Sequence, residues 1–219
     1  MPEPSLGVAK ADRSRPGLPI RAVVAIYALV LALLGAVPFL ARSEEVPPAD
    51  LMRDVFSIGG IPIYSGLLSN AGVFLWCASA AVASFAALLV DGEEPPLGRF
   101  LAASAGMSTL FMVDDFFMLH EWVAPRFLGW SEDAAYVLYG CLFAFYAIRY
   151  RDLIRALAPG FFGFATVALA ISVGIDLLHA EERSAWGYYV EEGVKLMGIG
   201  TWVAFVASAS VSAVRRSTR

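Results

Sequence analysis

The chain has 219 residues, of which 58% are hydrophobic and only 16% are charged, and its formal net charge is −4. In soluble domains about a quarter of the residues are charged, so this composition excludes an ordinary soluble protein. No basic patch or motif indicates nucleic-acid binding. Several stretches reach the roughly 20 apolar residues that cross a bilayer, and none alternates as a transmembrane β-strand does. We therefore predict an all-α, polytopic membrane helical bundle.

The elements follow in chain order from the apolar stretches. Residues 1–17 are polar and contain three prolines, so we interpret them as a disordered cytoplasmic tail. Residues 18–214 then form a single transmembrane domain. The first apolar run is longer than that of a signal peptide, which favours a retained span. The six predicted spans cover about 18–41, 64–90, 100–123, 134–150, 158–180 and 188–214.

The distribution of Lys and Arg predicts the orientation of these spans, because basic residues concentrate in short cytoplasmic loops. Placing the N-terminus inside puts most of the 16 basic residues on the inner side. The outer side keeps only Arg42, Arg53, Arg126 and Arg183, and Lys195 falls within a span. Six spans then place both termini in the cytoplasm.

Ionisable residues interrupt three of the predicted spans, and such residues at membrane depth mark functional sites by default. The third and fifth spans run outward and the sixth runs inward, so their charges meet in the outer leaflet. On the sixth span Lys195 follows Glu191 by four residues and Glu192 by three, so it can pair with either. The residues that converge are Asp114, Asp115, His120, Glu121, Asp176, His179, Glu191, Glu192 and Lys195.

One ammonium cannot balance this many carboxylates in a low-dielectric setting, so the acids must take up protons or bind a cation. Oxygen ligands with imidazole suit a divalent metal ion such as Zn, Mn, Fe or Ca. The predicted ligand pool consists of Asp114, His120, Glu121, Asp176, His179 and Glu191. Asp115 and Glu192 then remain as candidate general bases, and Lys195 as the group that stabilises a developing anion.

Other polar and small residues add detail to the predicted site. Ser69 and Asn70, at the outer end of the second span, are expected to line the same cavity. The run from Gly198 to Thr201 consists mostly of small residues, which is typical of closely packed helices.

The sequence leaves three function classes open. The first is a metal-dependent hydrolase that acts on a lipid or another amphiphile from the outer leaflet. The second is a proton- or ion-coupled transporter, although the inner halves of the spans are almost entirely apolar. The third is a non-catalytic membrane subunit, whose protein partners the sequence does not identify.

Three segments carry a family resemblance, namely 114–121 (DDFFMLHE), 191–199 (EEGVKLMGI) and 66–70 (GLLSN). They resemble those of uncharacterised bacterial multipass membrane proteins, which implies a location in the bacterial inner membrane and no assigned activity. A more distant similarity is to the alkaline ceramidase-like membrane hydrolases. Those enzymes hold a metal between helices with three histidines, whereas this chain has 2, so an identical site is not expected.

Overall fold

The computed structural model of the protein describes residues 20–90, 92, 94–178 and 185–217. All regular secondary structure in these ranges is helical, which confirms the predicted all-α class. The predicted tail, residues 1–17, and the candidate ligand His179 lie outside the described residues. The chain divides into two compact units, one up to Ser65 and one from Gly66 onward.

The first unit contains α1 (Ile20–Ser43), a 3-10 turn (Pro48–Leu51) and α2 (Val55–Gly59). The carboxylate of Asp54 caps α2, because it accepts the backbone N–H groups of Phe56 at 2.9 Å and Ser57 at 3.3 Å.

The described residues of the second unit form six α-helices and one π-helix. The order is α3 (Leu67–Val90), α4 (Pro95–Phe117), the π-helix (Leu119–Leu128), α5 (Glu132–Arg149), α6 (Arg151–Leu157), α7 (Pro159–Leu178) and α8 (Ala185–Ser217). α8 packs along both α3 and α7, and α4 packs along α3. The core between them holds large, fully buried aromatic side chains, including Phe100, Trp202 and Phe205.

The long helices are those of a multi-pass membrane protein. Five of them are long and apolar enough to cross a bilayer, namely Val23–Ser43, Leu67–Val90, Pro95–Phe117, Pro159–Leu178 and Trp186–Ser217. α5 is not among these five. It has 18 residues and carries Glu132 and Asp133 in its first turn and Arg149 in its last. The fourth predicted span, about 134–150, is therefore a helix, but it falls outside the set of five that length and composition select.

The third predicted span differs most from the observed helix. Residues 95 and 96 look like helix breakers in the sequence, yet α4 begins at Pro95, because proline is favoured in a first turn, where its missing N–H is not needed. The helix was expected to continue to residue 123, but it ends at Phe117. Met118 then adopts a left-handed conformation with φ 51°, and the π-helix follows.

Small residues allow α7 and α8 to approach closely. A Cβ atom added to Gly198 would lie 2.9 Å from Leu169 Cγ and 3.1 Å from the Leu169 backbone nitrogen. The close packing predicted for this run is thus confirmed at Gly198. At Gly200 a Cβ would meet nothing within 4 Å, so the prediction does not extend to that glycine.

Candidate functional site

The second unit contains an open cavity of about 1130 Å³ between α3, α4, the π-helix, α5, α7 and α8. Candidate residues that are distant in the sequence line this one cavity, as the convergence of their spans predicts. They are Ser69, Asp114, Asp115, His120, Glu121, Asp176, Glu191, Glu192 and Lys195. Asn70 is not part of the lining.

Asp114 and His120 form a buried dyad in the wall of this cavity. Asp114 is 4% exposed and His120 is 6% exposed. His120 Nδ1 lies 2.6 Å from Asp114 Oδ2, which is the short distance of a charge-assisted hydrogen bond. The other ring nitrogen, Nε2, lies 3.6 Å from Glu121 Oε1, beyond hydrogen-bonding distance. Asp114 thus fixes the orientation of the imidazole through one nitrogen only.

The backbone turn at Met118 places the histidine beside the aspartate. Asp114 accepts hydrogen bonds from two backbone N–H groups. Its carbonyl oxygen accepts one from Met118, and its Oδ1 accepts one from His120 at 3.1 Å. π-Helical geometry is rare and occurs frequently at functional sites. The break in the helix therefore brings the side chains of Asp114 and His120 into contact, although the two residues are six positions apart in the sequence.

Two tyrosines of α5 complete this part of the site. Tyr139 donates its hydroxyl hydrogen to Asp114 Oδ1 at 2.7 Å, and Tyr136 donates to Asp176 on α7. The rings of His120 and Tyr136 are 4.9 Å apart. Sequence reasoning did not identify these tyrosines, although their spacing of three residues, which puts both on one face of a helix, is a signal that could have found them.

The environment of His120, which follows the end of α4, shifts its acidity in two opposing directions. Burial lowers the pKa of this imidazole, because it disfavours the charged form. The hydrogen bond with Asp114 and the negative charges of Asp114 and Glu121 raise it by more. The pKa of His120 therefore lies above its ordinary value of 6.5.

Asp115 belongs to a separate cluster on another face of α4. Its Oδ1 accepts a hydrogen bond from Lys195 Nζ on α8 at 2.8 Å, and its Oδ2 accepts one from the indole N–H of Trp76 on α3 at 2.9 Å. The structure thus pairs Lys195 with a carboxylate of another helix, and corrects the expected pairing with Glu191 or Glu192. Because both Asp115 oxygens are engaged, the geometry favours a structural tie between three helices over the predicted roles in catalysis.

The remaining acids do not complete a metal site in the described part of the chain. Glu191 is 8% exposed and lines the cavity with Glu192 and Asp176. However, no group of three or more His, Cys, Asp or Glu side chains among the described residues is arranged to hold a metal ion. The predicted ligand set is therefore not assembled there, with His179 outside the described residues.

The opposite end of the cavity is apolar. α5 contributes Phe143, Ala144 and Ala147 to the lining, and α7 contributes Phe162 and Leu169. The rings of Phe143 and Phe162 stack with their centroids 5.6 Å apart. The cavity thus has a charged end, near the start of α5 and the end of α7, and a hydrophobic end along the same two helices.

Comparison with known proteins places the chain in a family but gives no activity. No curated protein matches it, so the expected similarity to alkaline ceramidase-like hydrolases is not supported. No solved structure matches it either. Over residues 22–209 the chain matches a family described as a domain of unknown function (DUF8692), in agreement with the expected uncharacterised family. The chain belongs to this family.

Proposed function

We propose that the protein is a membrane-embedded hydrolase that acts on an amphiphile, with His120 as its general base. The observation that carries this proposal is the Asp114–His120 dyad, which is buried in the wall of a cavity with one charged and one apolar end. A general base must lie within reach of the proton that it accepts and must be oriented by its neighbours. His120 satisfies both conditions through its two ring nitrogens.

The dyad supports a hydrolytic step in which water is the nucleophile. Asp114 holds the proton on Nδ1, so that Nε2 accepts a proton from water as the water oxygen attacks the acyl carbon of an ester or amide. His120 then returns this proton to the leaving oxygen or nitrogen as the acyl bond breaks. The hydrogen bond from Tyr139 to Asp114 keeps the carboxylate in position, which makes Tyr139 a positioning residue.

The dimensions of the cavity support an amphiphilic substrate. A volume of about 1130 Å³ is at the upper end of small-molecule pockets, which run to about 1,000 Å³. Phe162 and Asp176 both line it, and at 1.5 Å per residue these positions are about 21 Å apart along α7. One leaflet of a bilayer core is about 15 Å thick, so the apolar end accommodates a lipid chain while the polar head reaches His120.

The membrane arrangement that goes with this proposal has six spans, the five candidate helices together with α5, which is the fourth in chain order. Eighteen residues give a helix of about 27 Å, which is close to the thickness of the hydrocarbon core. With both termini in the cytoplasm of a bacterium, the charged end of the cavity faces the periplasm. The substrate then enters from the outer leaflet of the inner membrane.

A second candidate is a metal-dependent hydrolase at the same position. Metal-bound histidines donate their second ring N–H to a carboxylate, as His120 Nδ1 is placed to do with Asp114. His120 Nε2 and Glu121 Oε1, which are 3.6 Å apart, would contribute to holding such an ion, and the ion would supply an activated water as the nucleophile. This candidate requires further ligands, and elemental analysis of the purified protein tests it.

The two other function classes have less support in the described residues. A proton or ion path needs polar groups across the whole bilayer, whereas Phe143, Ala147 and Phe162 line the apolar end of the cavity. A non-catalytic subunit has no need of a cavity of this volume. Loss of a co-purifying protein on mutation of the dyad, with unchanged hydrolysis, would support that class instead.

Hydrolysis of chromogenic esters of graded acyl length by the purified protein in nanodiscs tests the proposal. His120→Ala should lower kcat by about 10²–10⁴-fold, the usual contribution of a general base. Asp152→Asn is the matched control, because Asp152 is an exposed partner of Arg151 on α6 and does not line the cavity. A hydrolytic rate that is the same in the protein and in His120→Ala would overturn the proposal. Loss of activity with a chelator, and its return with one metal ion, would favour the metal-dependent candidate.

A further inference from the structure

We propose that the charged end of the cavity selects an amphiphile with a cationic head group, an amine or a quaternary ammonium. The inference rests on the proposed function, because it takes an amphiphile as the occupant of the cavity, and it adds the sign of the head-group charge. Three independent features carry it: the pairing of the cations in the lining, the engagement of the hydrogen-bond donors, and the aromatic side chains at the same end.

The cationic groups of the lining already have carboxylate partners. Among the lining residues that the structure describes, Lys195 is the one Lys or Arg, and it is paired with Asp115 at 2.8 Å. His120 is paired with Asp114 at 2.6 Å. The described lining also holds six other acids, namely Glu121, Glu132, Asp133, Asp176, Glu191 and Glu192. The described wall therefore carries more negative than positive charge.

Three hydrogen-bond donors of the described wall are also engaged, and each donates to a carboxylate. The hydroxyl of Tyr139 donates to Asp114, that of Tyr136 donates to Asp176, and the indole of Trp76 donates to Asp115. A phosphate, sulfate or carboxylate head group needs such donors and cations. An anionic head group would therefore have to break existing bonds and approach several carboxylates.

A cationic head group meets suitable partners without any such loss. The lining includes Tyr136, Tyr139 and Tyr188, and aromatic faces attract organic cations, quaternary ammonium groups in particular. His120 Nε2, in a side chain that is only 8% exposed, lies beyond hydrogen-bonding distance of Glu121 and remains available for a polar atom of the ligand. The apolar end distinguishes this occupant from a bare metal ion, which has no use for a hydrophobic wall.

Competition binding in nanodiscs of zwitterionic lipid tests the inference. The probes are three amphiphiles with one alkyl chain length and different heads: trimethylammonium, sulfate and maltoside. Each displaces a fluorescent amphiphile, and partition into empty nanodiscs is subtracted. We expect the trimethylammonium probe to bind at least about tenfold more tightly than the other two, and this preference to shrink as salt screens the charges.

Variants separate this inference from the proposed function. Glu192→Gln should weaken binding of the trimethylammonium probe by about fivefold, the upper range for a partly exposed ion pair, and leave maltoside binding unchanged. Asp152→Asn should change neither. Equal binding of all three probes, or a preference for sulfate, overturns the head-group selection and leaves the amphiphile cavity intact. Binding of none of them above empty nanodiscs overturns both.

Discussion

Asp114 and Asp115 are adjacent in the sequence, yet their carboxylates serve two separate clusters. Asp114 accepts hydrogen bonds from His120 and Tyr139, whereas Asp115 accepts them from Trp76 and Lys195. Successive residues of a helix project about 100° apart, so neighbouring acids can face different partners. This division separates a candidate catalytic pair, Asp114 and His120, from a cluster in which Asp115 connects α4 to Lys195 on α8 and to Trp76 on α3.

The ion pair predicts a loss of stability on Asp115→Asn. The substitution leaves Lys195 without its carboxylate, and breaking a buried pair in this way costs about 3–5 kcal/mol. Because the Lys195 side chain is 27% exposed, we expect a smaller loss in the free energy of unfolding, about 1–3 kcal/mol. Thermal unfolding in detergent micelles measures it.

The double variant Asp115→Asn with Lys195→Met is the control for this prediction. It removes both charges, so it should recover most of the stability that the single variant loses. An unfolding temperature that is unchanged in the single variant would show that the pair contributes nothing to the fold.

The dyad predicts how His120 titrates. Its raised pKa means that the stabilisation by the pair is fully present below the unfolded value near 6.5 and is lost as the pH rises through the folded pKa. Asp114→Asn removes the negative charge and leaves only a weaker, neutral hydrogen-bond acceptor, while burial continues to lower the pKa of His120, so this pKa should fall. NMR titration in a His179→Gln background, which leaves one of the 2 histidines, measures the shift.

The same titration predicts the pH dependence of hydrolysis. A general base acts when it is neutral, so kcat/KM should rise through a folded pKa above 6.5, and Asp114→Asn should move the rise to lower pH. Asp152→Asn should leave the profile in place. A histidine signal that titrates identically in the protein and in Asp114→Asn would contradict the assignment of the dyad.

Hydropathy and helix geometry sufficed to predict the helical segments and the convergence of Asp114, Asp176 and Glu191 on one cavity. The rise per residue and the direction of each span determine the depth of a side chain, and both can be deduced from the sequence. The same reasoning does not extend to the contacts that each side chain makes.

The details that the sequence did not reveal depend on tertiary contacts or on unusual backbone conformations. A methionine gives no signal for the left-handed conformation that Met118 adopts, since Gly, Asn and Asp are the usual residues there. The partner of Lys195 lies on another helix, whereas spacing rules weigh only neighbours on the same helix. The spacing of Tyr136 and Tyr139 puts both on one face of α5, but the hydrogen bond of Tyr139 to Asp114, on another helix, is visible only in the structure.

The contrast between Gly198 and Gly200 predicts opposite effects of the same substitution. Gly198→Ala places a methyl group against Leu169 and forces α7 and α8 apart, at a cost of about 1–3 kcal/mol in the free energy of unfolding. Gly200→Ala meets nothing within 4 Å, and alanine is favoured over glycine in a helix by about 1 kcal/mol. In micelles, the free energy of unfolding should fall for Gly198→Ala and rise for Gly200→Ala. Equal changes in the two variants would exclude a packing role for Gly198.

The last prediction concerns the passage of α5 through the membrane. If α5 crosses the bilayer, Trp130 before it and Asp152 after it lie on opposite sides. Cys77 and Cys141, both free, are first replaced by serine, and Trp130→Cys or Asp152→Cys is introduced. In intact spheroplasts a membrane-impermeant maleimide should label residue 130 alone, and residue 152 should react only after lysis, because basic loops stay inside. Labelling of both positions from the outside would place α5 along one surface, so that the cavity would no longer have a charged end in one leaflet and an apolar end in the other.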